Sequence, residues 1–234
     1  MLRYARILQR LNDYPQLTEL SRRALGWIAC SPIPLKIQEL TCALSIESNF
    51  GGKLPRAEWL LNAIQLCGPI VERSGDYVHF VHFTVKEYLI SRKRNNFVQM
   101  LEANLEMTKT CLHYLCLDIF DPEIEDQQIK ENLLSGAYRL HWFASTQWVE
   151  ILRHCAISLH DRAPPDDLIT TLKTFGERRE NTTFQDSSSS YGDWSSDHFE
   201  AFKGKHPEIY RLLDQTLKFW HLDTGNWKLD YEGM

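Results

Sequence analysis

The chain has no run of the roughly 18 apolar residues that a helix needs to cross a bilayer, so no membrane helix is expected. Its first residues, MLRYARILQRLND, contain no apolar h-region, so no signal peptide is expected there. None of its six cysteines forms C-x-x-C. Cys111, His113 and Cys116 match no usual zinc-ligand spacing, so no metal site is expected. A phosphate cradle needs G-x-x-x-x-G-K-[ST], because backbone donors and a lysine must converge on the phosphates. Gly51-Gly52-Lys53-Leu54 has neither that spacing nor the hydroxyl, so the chain is not expected to be a self-sufficient NTPase. There is no G-x-S-x-G nucleophile elbow, and Ser187 to Ser190 sit in a polar stretch with no strand–turn–helix setting. Hydrolase chemistry is therefore disfavoured, and no catalytic residue is assigned.

What is present reads as a folded protein. The 234 residues are 43% hydrophobic and 12% aromatic, enough for one large domain or two small ones. Net charge is −5 but uneven: residues 1–100 hold 13 Lys+Arg against 8 Asp+Glu, leaving 13 against 23 in residues 101–234. A basic first half suits a phosphate-bearing partner or an acidic neighbour, including the chain's own second half. The runs Arg22-Arg23 and Arg92-Lys93-Arg94 are short, which favours the second reading. Cys30, Cys42, Cys67, Cys111, Cys116 and Cys155 each lie in apolar, helix-like surroundings. They read as free core thiols in a reducing, cytoplasmic compartment.

The most informative stretch is YVHFVHFTVKEYLIS, Tyr77 to Ser91. Val78, Phe80 and His82 alternate with Tyr77, His79, Val81 and Phe83, the period of a strand. Thr84 then stands where a helix N-cap belongs, with Glu87 three residues on, the spacing of a capping box. Val85, Tyr88 and Leu89 continue at helical spacing. His82 is thereby expected at the end of a strand, just before a helix. It is read either as a sensor of an anion or as a packed, satisfied ring; His79 is expected on the opposite, exposed face.

Tyr4, Ile7, Leu8 and Leu11 predict an amphipathic helix, broken at Asn12-Asp13-Tyr14-Pro15. Leu17, Leu20, Ala24, Leu25 and Ile28 predict a second, ended by Ser31-Pro32-Ile33-Pro34. Leu35 suits a short strand, and Ile37, Leu40 and Leu44 open a third helix. Residues 55–66 predict a fourth. Ile70 to Glu72 and Tyr77 to Phe83 are strands joined across Arg73-Ser74-Gly75-Asp76 as a hairpin. Helix, short strand, helix, helix, hairpin is the order of a winged helix, with the hairpin as wing. Beyond Ser91 the pattern is helical. Leu105, Thr108, Leu112, Leu115 and Ile119 form one stripe, and Trp148, Ile151, Leu152 and Cys155 another. Trp142 and Trp148 are both read as core. Pro164-Pro165 is a turn, Gln185 to Asp197 a serine-rich loop, and His206 to Leu222 a last helix. Asn181-Thr182-Thr183 is a chance glycosylation sequon. The expected class is mainly α. Residues 1–16 end a helical linker, 17–92 form the winged helix and 93–182 a helical arm. Residues 183–198 form the serine-rich loop and 199–234 a C-terminal helix and tail.

Four blocks carry a family resemblance. They are Tyr4-Ala5-Arg6-Ile7-Leu8-Gln9-Arg10-Leu11, and Ala24-Leu25-Gly26-Trp27-Ile28-Ala29 with Pro34-Leu35, Glu39-Leu40 and Ala43-Leu44. Cys67-Gly68-Pro69-Ile70-Val71-Glu72 and Val81-His82-Phe83-Thr84-Val85-Lys86-Glu87-Tyr88-Leu89 complete the set. Their order resembles fungal NACHT-type members of the STAND class of P-loop NTPases. More narrowly, they resemble the segment called the GPI inositol-deacylase winged-helix domain. Tyr138, Phe143-Ala144 and Trp148 extend the likeness to about residue 150. Lys36 stands where the family usually has Thr, Pro69 where it has Gly, and His141 at a usually apolar position.

The resemblance implies a non-catalytic regulatory and interaction module that couples the nucleotide state of an NTPase to a sensor or partner. It implies that His82 touches ADP when an NTPase domain is supplied, while Thr84, Glu87 and Tyr88 belong to the structural motif. No cofactor is expected on this chain alone, with ADP or ATP only through that upstream domain. The expected partner is a protein. A nucleic-acid-binding winged helix is the alternative, but residues 37–46 and 55–66 carry only Arg56 as a cation, opposed by Glu39 and Glu58.

Overall fold

The computed structural model describes residues 2–12, 15–46, 67, 70–91, 97–121, 123–159 and 162–180, with isolated positions 204, 207 and 211. The expected fourth helix, the serine-rich loop, the sequon and the C-terminal tail lie outside the described residues, as does almost all of the expected last helix.

Helix α1 (Leu2–Asn12) buries Ile7 and Leu8 and half-buries Tyr4, the stripe its periodicity predicts. Helix α2 (Pro15–Cys30) starts at its proline, where a missing N–H costs nothing. Burial on α2 is wider than one stripe. Ser21, Ala24, Leu25, Trp27 and Ala29 are buried, while the expected Leu20 and Ile28 are only partly so. The cause is its central position: α2 is covered by α1, by α3 (Ile37–Ser45) and by α5 (Met100–Leu115).

Strands β1 (Leu35–Lys36), β2 (Val71–Ser74) and β3 (Tyr77–Phe80) form an antiparallel sheet in the order β1-β3-β2. Leu35 pairs with Val78, and Ser74 pairs with Tyr77 across a two-residue turn. Gly75 opens that turn at φ 61, a conformation that a Cβ disfavours. Asp76 O accepts from Ile37 N at 2.7 Å, so the wing's turn is fastened to the start of α3. Lys36 has no acceptor to offer as a cap. Instead the buried Glu39 carboxylate accepts from Lys36 N at 2.8 Å, half of a capping box.

Strand β3 stops at Phe80, three residues earlier than its alternation predicts. Val81 and His82 form a bend, and α4 (Phe83–Ile90) begins at once. The arm follows: α5, a 3-10 turn (Asp118–Phe120), α6 (Asp126–Ser135), α7 (His141–Ser158) and α8 (Asp166–Glu180). Helix α5 packs along α7 and against α8, and it crosses α2. The α2–α5 crossing is close: a Cβ at Gly26 would sit 3.2 Å from the Ala103 Cβ.

The core does not part at residue 92. One cluster of buried side chains runs from Ile7 through Trp27, Val85 and Met107 to Trp148 and Phe175. The Trp27 and Phe143 rings meet at 5.7 Å, joining α2 to α7. Arg23 adds a polar tie. Its Nε donates to Glu106 Oε1 at 2.5 Å, and its other nitrogens reach Leu44 O at 3.5 Å and Ile46 O at 3.3 Å. One guanidinium thus holds α2, α5 and the C-terminal end of α3 together. The fold is mainly helical with a small three-stranded sheet, a winged helix followed by a helical region.

One core expectation fails. Trp148 is fully buried, but Trp142 is 50% exposed. Six residues along a helix turn a side chain by about 240°, so the two indoles leave α7 on different faces.

Candidate functional site at the wing and helix α4

The chain turns from strand to helix in two residues, and that turn places His82. With φ −159 and ψ 145 the backbone of His82 is still extended, while Phe83 is already helical. His82 is therefore the N-cap of α4. Its Nδ1 accepts from Thr84 N at 3.2 Å and lies 2.9 Å from Thr84 Oγ1. A ring nitrogen here does what Ser, Thr, Asp or Asn usually does: it satisfies one of the donors a helix leaves orphaned at its start.

This corrects the expected cap. Thr84 is the second helical residue, not the N-cap. Glu87 is exposed and sits at the fifth helical position, too far along for a capping box, whose partner position is occupied by Val85. Thr84 serves the site differently: its Oγ1 also meets Tyr4 Oη of α1 at 3.2 Å. Tyr88 is half-buried and packs its ring on Tyr4, with centroids 5.5 Å apart.

The surroundings of His82 are open and apolar. The ring lies on Phe83, with centroids 4.3 Å apart. Phe83 is 68% exposed, and Val81, two residues before it, is exposed as well. His82 itself is exposed, so it is not the packed, half-buried ring of one expected reading. Val78, on the same strand face, is buried at 3% and Phe80 partly. The alternation is clear at Tyr77, exposed, and Val78, buried, and fades at His79 and Phe80, both half-buried, so His79 is less open than expected. His79 is half-buried, with Nδ1 3.5 Å from Glu72 Oε1 across the hairpin.

The other candidates are not drawn together. Among the described residues no three His, Cys, Asp or Glu side chains gather as a metal site. Cys111 is buried in the core, where the lack of solvent pushes its thiol pKa up. His113 turns instead to α8, where Nε2 lies 3.2 Å from Thr171 Oγ1. Burial first, and the charge of Lys109 second, hold the His113 imidazole below its ordinary range, with Asp167 opposing. The thiols of Cys30, Cys42 and Cys67 are pushed up to about 11 and that of Cys155 to about 12, in each case mainly by burial. Such thiols are poor nucleophiles.

The sequence placed His82 just before a helix start, where the structure has it, but gave neither its role as the cap nor the hydroxyl of Tyr4. No local pattern could have shown the second, because Tyr4 and Thr84 stand 80 residues apart. A tyrosine on the partly buried edge of α1 was the one available signal.

The fold and this junction define a winged-helix module. Residues 9–100 match the family model described as GPI inositol-deacylase, winged helix domain. No curated protein and no solved structure matches the chain. No helix among the described residues is long and apolar enough to cross a membrane.

Proposed function

We propose that the chain is a non-catalytic regulatory and interaction module of a NACHT-type signalling NTPase, coupling nucleotide state to a sensor or partner. The observation that carries this reading is the exposed Val81-His82-Phe83 junction. A ring held by Nδ1 at a helix start, beside an open phenylalanine, offers a polar contact within an apolar docking face. On this reading the chain binds no nucleotide alone, and His82 meets ADP when a P-loop domain docks there. The partner is that protein domain, and the setting is cytoplasmic. No described thiol with a raised pKa is suited to covalent catalysis, which fits a module without turnover. Helix α3, from Ile37 to Ser45, carries no cation, which weighs against a nucleic-acid role.

The test begins with transcripts read across Met1 for an in-frame P-loop domain. That domain, with and without this chain, is then titrated with fluorescent ADP. Tighter ADP binding in the presence of the chain, lost in His82→Ala, is the expected result. Transcripts that carry no such domain, or equal binding in both mixtures, would end the proposal.

A further inference from the structure

Helix α6 keeps little of itself inside the protein. It buries Asn132 and half-buries Ile129, and all its other side chains are exposed. Two of those are leucines. Leu133 is 61% exposed and Leu134 87%, the highest value for a large apolar side chain among the described residues. A single surface leucine is ordinary, but two in succession on one helix make a patch. Successive residues turn by about 100°, so Asp126, Gln127, Lys130, Glu131, Leu133 and Leu134 share one arc of about 160°, opposite Asn132. The leucines close the C-terminal end of that arc. Asp126 stands two turns before Leu133, about 10 Å away along the axis. Glu123 and Glu125, both exposed, continue the acidic end into the preceding segment.

The acids of this face are unmatched. In the rest of the arm Glu106, Asp118, Glu150 and Asp167 each meet an Arg or Lys at 2.5 to 2.9 Å. Among the described residues no such ion pair forms at Glu123, Glu125, Asp126 or Glu131. Glu131 accepts only from Gln127 Nε2, at 3.1 Å. Lys130 is the single cation from Asp118 to Glu131.

We propose that α6 is a docking face for a basic amphipathic helix of another protein. That helix lays apolar side chains on Leu133 and Leu134 and sets Lys or Arg, two turns away, against Glu123, Glu125 and Asp126. The proposal goes beyond nucleotide coupling, since contact here needs no P-loop domain. Charge decides against an anionic bilayer as the occupant, because the acidic end would be repelled. A second copy is poorly suited as well. Helix α1 carries Arg3, Arg6 and Arg10 and no acid, but it spends Ile7 and Leu8 in its own core.

The experiment is fluorescence anisotropy of the full chain with a labelled helical peptide of about 14 residues. The peptide is built of alanine, lysine and leucine, with two lysines set two turns from two leucines. Saturable binding is expected, weaker at about 300 mM salt than at about 50 mM. Leu133→Ser with Leu134→Ser should weaken it by roughly tenfold or more. Glu125→Gln with Asp126→Asn should weaken it by roughly threefold and flatten the salt dependence. Both variants change exposed side chains and should keep the wild-type circular dichroism spectrum. Serine for leucine in the peptide should reproduce the first loss without touching the protein. The proposal is overturned if the wild-type chain does not bind the peptide saturably, or if a peptide with glutamate for lysine binds as well. It is equally overturned if either variant binds like the wild type. A dimer seen by sedimentation and abolished by the two serines would give the face to a second copy instead. Flotation with phosphatidylcholine vesicles, lost in the same variant, would give it to lipid; either result overturns the proposal.

Discussion

Arg23→Ala should loosen the joint between the winged helix and the arm. The substitution strips Glu106 of its cation and leaves the Leu44 and Ile46 carbonyls without that donor. Removing one partner of a fully buried pair costs about 3–5 kcal/mol, while an exposed pair is worth about 0–1 kcal/mol. Side-chain exposures of 16% for Arg23 and 24% for Glu106 place this pair between the two limits. The carbonyl contacts are long and add little. The expected loss is about 2–3 kcal/mol, or about 5–10 °C in Tm for a chain of this size. Urea unfolding followed by tryptophan fluorescence measures it, because Trp27 and Trp148 are both fully buried. The control is Arg23→Met with Glu106→Leu. Replacing both partners leaves no buried charge, so the double variant should lose less than the two single changes summed. A loss below about 0.5 kcal/mol in Arg23→Ala, the range of an ordinary surface change, would refute the reasoning. Strict additivity in the double variant would refute it as well.

Three further outcomes follow from buried groups. The His113 imidazole is held below its ordinary range, so the folded state disfavours its protonation; stability is intact above about pH 6.5 and falls as pH drops below it. His113→Gln should flatten that slope, and urea midpoints at about pH 7.5 and about pH 5.5 compare the two proteins; parallel slopes would exclude His113 as the cause. Burial raises the Glu39 pKa, with the Lys36 N–H and the Lys36 charge opposing, so the ionised carboxylate costs stability as pH rises through the carboxylate range. Glu39→Gln keeps an acceptor for Lys36 N and should be neutral or stabilising at neutral pH by thermal melt; a large loss would show that the charge itself is needed. Cys67 and Cys155, both buried, should resist alkylation until denaturant is added, and mass spectrometry at neutral pH that finds them modified at the rate of an open thiol would contradict their burial.

Elements buried along one face were legible from periodicity. The buried stripe of α7 and the Gly75 hairpin are such cases, since burial on one side leaves a period in the sequence. Helix α2 was less legible because it is covered on several sides, and a helix wrapped by neighbours loses its polar stripe. The cap of α4 was misplaced for another reason. Thr84-x-x-Glu87 is a sound local signal, yet Tyr4 engages the Thr84 hydroxyl from α1 and leaves the cap to the His82 ring. The Arg23–Glu106 pair was hidden by its 83-residue separation. Short-range spacing reports on one element at a time, and the candidate site is made by two.

The contact of Trp27 with Phe143 reaches past the family match, which ends at residue 100. The segment that the family model recognises is therefore smaller than the unit that excludes water. A winged helix transplanted from this chain without α5 and α7 would carry a bare indole and an open groove at Gly26. To keep Trp27 covered, such a transplant would have to carry the arm with the wing, or supply another aromatic side chain where Phe143 stands.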